Sequence, residues 1–102
     1  MDRREREELL ESWKGWSPKG DYAFTAELED PRGGEPVHLL LFAERVHGFL
    51  RWSWEVSRAR EAGGQPWTEG SGQLLIHLGD AARECRVFAV GFVAGMKARD
   101  RE

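Results

Sequence analysis

The residue types that most often carry catalysis or bind metals are few in this chain and lie far apart. The three histidines, His38, His47 and His77, have no second ligand at the short separations that zinc sites use. Cys85 is the single cysteine, so no disulfide can form within the chain. The sequence therefore predicts no catalytic residue, no metal site and no cofactor, and it favours a non-enzymatic protein over an enzyme.

Two other groups of residues could bind charged ligands. Gly70-Ser71-Gly72 could hold an anion on backbone N–H groups at a helix start, but the lysine of a phosphate-binding loop is missing. We therefore expect Ser71 to cap a helix. Three arginines on the third predicted strand and its exit, Arg51, Arg58 and Arg60, could form a basic patch for a nucleic acid or another partner. The alternative is a solvated strand face, because glutamates lie among them.

The most unusual feature is the apolar segment near the C-terminus. From residue 87 to residue 96 the predicted helix is apolar on nearly every side, with Val87, Val90 and Val93 opposite the stripe that faces the sheet. Gly91 and Gly95 lie four residues apart in this segment, and a glycine in a helix interior costs ~1 kcal/mol. Small residues along one side of a helix allow another backbone to approach closely. We predict an interface with a second copy here, although the N-terminal helix of the same chain could cross instead. The predicted interface comprises Val87, Val90, Gly91, Ala94 and Gly95.

Trp67 is the tryptophan that fits no periodic pattern. It lies in a segment rich in glycine and proline, residues 60–72, which we interpret as a long loop. Large aromatic side chains often anchor interfaces, so Trp67 is a candidate contact for a partner protein. The alternative is that Trp67 pins its own loop over the sheet edge. A small-ligand site under the same loop is a further possibility.

The spacing of apolar residues predicts the elements that would position these groups. Leucines and tryptophans at helical spacing predict a helix over residues 2–16, and alternating patterns predict strands over 21–29, 36–44 and 49–58. A turn is expected at residues 30–34 and a bulged hairpin at Gly48. Residues 71–99 are interpreted as one long helix. A second interpretation places a fourth strand at 73–78 and begins the helix at Asp80.

The sequence thus predicts one two-layer α+β domain over residues 1–102. It would contain an N-terminal helix, a three-stranded antiparallel meander (four-stranded on the second interpretation) and a long C-terminal helix. Trp52 and Trp54 would face the helices, opposite Trp13, Trp16, Phe88 and Phe92.

The composition bears on the setting in which the protein works. The charged N-terminus and the absence of a long apolar segment predict a cytoplasmic protein that contacts no membrane. The absence of asparagine, together with abundant glutamate and arginine, suggests a thermophilic source. The excess of twelve arginines over three lysines by itself indicates high genomic GC content. The formal net charge of −3 does not indicate a nucleic-acid coat. We expect a small regulator or adaptor that forms a homodimer through its last helix and binds an unidentified protein. The alternatives are a nucleic-acid-binding homodimer and a small-ligand-binding domain.

Overall fold

The computed structural model describes Arg4 and residues 15–20, 22–59, 63–75 and 78–99. Within these residues, five antiparallel strands precede one helix, and the strand order follows the sequence order. The elements are β1 (Ser17–Pro18), β2 (Ala23–Leu28), β3 (Val37–Val46), β4 (Phe49–Ala59), β5 (Pro66–Leu75) and α1 (Leu78–Arg99). The α+β class, with an antiparallel sheet and a C-terminal helix, is therefore confirmed.

Both predicted hairpin corners are present. Gly33 donates its N–H to the carbonyl of Asp30 at 2.9 Å and has a φ of 79°, which closes the turn between β2 and β3. The β3–β4 corner is a two-residue turn, His47-Gly48, with φ values of 51° and 82°. Positive φ at both positions matches the twist of the flanking strands. The expected bulge at Gly48 is wrong, because Val46 pairs directly with Phe49.

The core lies between α1 and one face of the sheet. Alternate residues of the central strands point to α1, as the period of two requires, and Leu41 pairs with Trp54 while Leu39 pairs with Val56. From α1, Leu78, Cys85 and Ala89 are fully buried against them. Both tryptophans predicted to face the helix, Trp52 and Trp54, are buried there, and so is Trp16. Phe88 and Phe92 pack on this core as expected.

The predicted strand count is wrong, because residues 66–75 form a strand and not a loop or the first turns of a helix. Gly70 and Gly72 hide the period-two pattern, and Pro66 resembles a loop residue. The long edge of β4 nevertheless pairs with nine of the ten residues of β5, and tertiary pairing overrides weak strand propensity. The second interpretation, a strand followed by a helix, was closer. Ser71 lies within β5 and caps no helix.

Gly70 and Gly72 have a packing role that replaces the anion-binding hypothesis. A Cβ atom on Gly70 would lie 2.4 Å from the Phe88 ring, and one on Gly72 would lie 2.4 Å from Nε1 of Trp54. Both glycines face α1, so the bare backbone lets the helix lie directly on β5.

The predicted N-terminal helix lies mostly outside the described residues. Of residues 2–16, the structure describes Arg4, Gly15 and Trp16, and the last two are not helical. Ser17 and Pro18 form the short β1 instead, which pairs with Thr25 and Phe24 of β2. Trp13 also lies outside the described part of the chain.

Candidate interaction surface

The outer face of α1 carries the largest exposed aliphatic side chains that the structure describes. Val87 is 67 % exposed and Val90 is 49 % exposed, and they lie one helical turn apart. Gly91, Ala94 and Gly95 are also exposed and continue this surface toward the C-terminus. We call Val87, Val90, Gly91, Ala94 and Gly95 the α1 outer face. The structure places all five predicted residues together on one surface.

The two glycines of this surface differ from those of β5. Beyond the adjacent residues and the local helix backbone, no atom lies within 4 Å of a Cβ built on Gly91 or Gly95. Packing within the described chain therefore does not require either glycine. Val93, which was predicted to point away from the core with Val87 and Val90, packs against the core instead. Val93 follows Val87 by six residues, a rotation of about 120° at 3.6 residues per turn, which brings it to the flank of α1 that faces the sheet.

Trp67 belongs to β5 and not to a loop. It pairs with Arg58 in the β4–β5 register, and its side chain remains 57 % exposed. Arg58 follows Val56 by two residues, so Arg58 and Trp67 are on the sheet face that α1 covers. The alternative that Trp67 is buried over its own segment does not fit an exposure above one half.

Two of the three arginines predicted as a basic patch, Arg51 and Arg58, are not brought together by the sheet. Arg51 and Arg58 are seven residues apart on β4, an odd spacing that places them on opposite faces of the sheet. Arg51 donates through Nη2 to Oε2 of Glu44 at 2.8 Å. Arg58 binds Asp30 and donates through Nε to the Glu35 carbonyl at 3.3 Å. Arg60 lies outside the described residues.

Asp30 is a structural residue that the sequence analysis did not single out. Its side chain is 1 % exposed and receives a hydrogen bond from the Arg32 backbone N–H at 2.8 Å. That hydrogen bond lowers the pKa of Asp30, and the guanidinium groups of Arg58 and Arg32 lower it further against the opposing effect of burial. The sequence signal was an acid at the start of a turn, where aspartate accepts a local backbone hydrogen bond. Arg58 therefore closes the β2–β3 corner.

Among the described residues, Cys85, His38 and His47 show no arrangement typical of a reactive centre, and His77 lies outside the described residues. Burial raises the pKa of Cys85 to about 12, which keeps the sulfur protonated and unreactive. His38 lies on the sheet face opposite α1, with Nδ1 3.2 Å from Oε1 of Glu27. Across the described residues, no group of three or more histidine, cysteine, aspartate or glutamate side chains could hold a metal ion.

The sheet face opposite α1 contains an open cleft of about 770 Å³. Its wall includes Lys19, Thr25, His38, Leu40 and Ser57. Lys19 and Glu27 on this wall carry opposite charges, so no single charge sign dominates. The cleft is wide, and its described wall residues do not include the convergent buried polar groups that small-molecule sites normally have.

None of the helices in the described part of the chain is long and apolar enough to cross a membrane.

Three comparisons with known proteins found no match for this chain. No family model matches the sequence, and neither a curated protein nor a solved structure matches it.

Proposed function

We propose that this protein is a small non-enzymatic interaction module that forms a homodimer through the α1 outer face and binds a protein partner near Trp67. It would act as a regulator or adaptor. The observation that supports the proposal is the exposure of Val87 and Val90 beside two helix glycines that the described chain does not need for its own packing. Exposed apolar surface of this kind on a small protein commonly marks an association site.

A second copy fits this surface because the surface complements itself. In an antiparallel helix pair with a two-fold axis between residues 90 and 91, Val90 meets the partner's Gly91. Val87 then meets the partner's Ala94. Each larger side chain lies opposite a smaller one, and a two-fold contact repeats each pair twice. Without side chains at Gly91 and Gly95, the helix axes can approach to the close end of the ~8–10 Å range.

The size of the surface predicts a weak dimer. One helix pair of this length buries less than the ~1,200 Å² that stable complexes bury. We therefore expect dissociation in the micromolar range or weaker. Charged residues limit the contact at the start of α1, where Arg83 and Asp80 form an exposed ion pair at 3.5 Å.

Sedimentation velocity over a wide range of protein concentration tests the homodimer. The wild type should shift from monomer to dimer as the concentration rises, and Val87→Asp should remain monomeric because it places a charge in the interface. Phe49→Asp is the matched control, since Phe49 is 59 % exposed but lies at the β3–β4 corner, away from α1. A wild type that is monomeric up to millimolar concentration would contradict self-association, as would equal effects of both variants.

No specific observation favours the two alternative functions that the sequence suggested, nucleic-acid binding and small-ligand binding. The nucleic-acid-binding homodimer stays a prediction, and the paired states of Arg51 and Arg58 do not favour it. A small-ligand site beneath a loop at residues 60–72 loses its structural basis, because residues 66–72 belong to β5.

A further inference from the structure

We propose that the free edge of β5 binds a basic, extended peptide segment of a partner protein as a sixth strand, with Trp67 as the side-chain anchor. This inference rests on the partner-binding half of the proposed function and does not require the homodimer. It names the mode of recognition, which is strand addition, and the chemistry of the partner.

The position of β5 in the sheet supports strand addition. Within the described chain, β5 pairs with β4 on one side and with no strand on the other, and it is ten residues long. The opposite edge of the sheet, β1, has two residues and offers few backbone groups. Natural edge strands are usually protected by prolines, bulges or charges. Pro66 and the register shift beside Thr68 protect the first half of β5, whereas residues 70–75 carry no charge, proline or bulge.

Trp67 and α1 border the same side of this edge. Phe88 lies against Gly70 and Glu84 lies against Gly72, so α1 runs antiparallel to β5. The later turns of α1 therefore extend toward the end of β5 that carries Trp67. A peptide side chain can lie between the exposed indole and this part of the helix.

The charges around β5 select a basic partner over a second copy of this chain. Glu69 lies in β5, Glu55 accepts a hydrogen bond from Thr68 at 2.7 Å, and Glu84 lies above Gly72. Edge-to-edge pairing of two identical β5 strands would place two copies of this acidic edge against each other in a protein that already has a net charge of −3. A segment rich in lysine or arginine would instead gain favourable charge contacts.

The test uses three synthetic peptides of about nine residues, long enough for one strand. The first alternates lysine and valine, the second alternates glutamate and valine, and the third is the basic peptide with a central proline. Amide chemical shifts of the isotope-labelled full-length protein are followed during each titration. We expect the basic peptide alone to bind, with shift changes concentrated in residues 70–75 and in the Trp67 indole.

Two variants test the anchor and the charge. Trp67→Ala should weaken binding about tenfold or more, because aromatic anchors dominate such interfaces, whereas Phe49→Ala should leave it unchanged. Glu69→Lys, which keeps the indole, should also weaken binding and keeps the test valid if Trp67→Ala unfolds. Comparable binding of all three peptides, or shift changes confined to other surfaces, would overturn the proposal. So would β5 amides that respond to protein concentration and not to peptide, since they would indicate a second copy.

The titration is repeated on Val87→Asp, so that the two proposals can fail separately. Loss of the homodimer with peptide binding retained supports both. A monomeric wild type that still binds the basic peptide overturns the homodimer alone, and a dimer that ignores the peptide overturns the strand addition alone.

Discussion

The same substitution, glycine to alanine, should have opposite effects on stability at two positions of this protein. At Gly70 the new Cβ would lie 2.4 Å from Cζ of Phe88, so the ring must move by about 1 Å to reach ordinary contact distance. The ring cannot move without disturbing Trp54 and Phe92, whose centroids lie 5.4 and 6.4 Å away. Overpacking of this kind typically costs ~1–3 kcal/mol. The lower entropy of the unfolded chain offsets up to ~1 kcal/mol, which leaves a net destabilisation of ~1–2 kcal/mol.

At Gly91 the same change meets open space. Alanine replaces glycine in a helix interior, and no neighbouring side chain or strand lies within 4 Å of the new Cβ. The free energy of unfolding should therefore rise by about 0.5–1 kcal/mol. If the α1 outer face forms the homodimer, Gly91→Ala should also weaken self-association, because the added methyl group separates the two helices. A variant that is more stable and yet associates less would distinguish an interface glycine from one that is merely tolerated.

Urea unfolding, monitored by circular dichroism and tryptophan fluorescence, measures both effects at a protein concentration where the chain is monomeric. Because the slope of the free energy with urea reports exposed surface, a change in the midpoint at constant slope reports stability. Stability of Gly70→Ala equal to or above that of the wild type would refute the close approach of α1 to β5. Destabilisation by Gly91→Ala would refute the open environment of the helix face.

Two further predictions concern buried titratable groups. Because the pKa of Asp30 is lowered in the folded state, its contribution to stability is present above the unfolded pKa near 3.8 and is lost as pH falls through the folded pKa. Asp30→Asn should lower the free energy of unfolding by about 2 kcal/mol at pH 7, because it weakens the charged hydrogen bonds from Arg32 and Arg58. Urea unfolding at pH 7 and pH 3 should show that the stability difference between wild type and variant becomes smaller in acid. An undiminished difference at pH 3 would contradict this assignment. Cys85, with a pKa near 12, should resist iodoacetamide at pH 8 in the native protein and react readily in urea; rapid native alkylation would show that the thiol is accessible.

Local sequence determined the elements whose side chains alternate or repeat without interruption. β2, β3 and β4 show the period of two, and their corners contain glycines that adopt positive φ, so both the strands and the hairpins could be predicted from neighbours in the chain. The buried stripe of α1 was also readable, because Cys85 and Ala89 recur at helical spacing. Val87 and Val90 are exposed opposite that stripe, as their spacing predicts, whereas Val93 packs against the core.

Tertiary structure decided the features that depend on partners distant in sequence. β5 exists because β4 offers it an edge, and its glycines, which weaken a strand in isolation, are needed only because Phe88 and Trp54 occupy the space above them. The sequence predicted Arg58 as one of three arginines in a basic patch, but the β2–β3 corner places Asp30 beside it. Periodicity specifies which face a residue is on. It does not specify what lies across from that face, because that neighbour is set by the pairing of segments that the chain brings together only on folding.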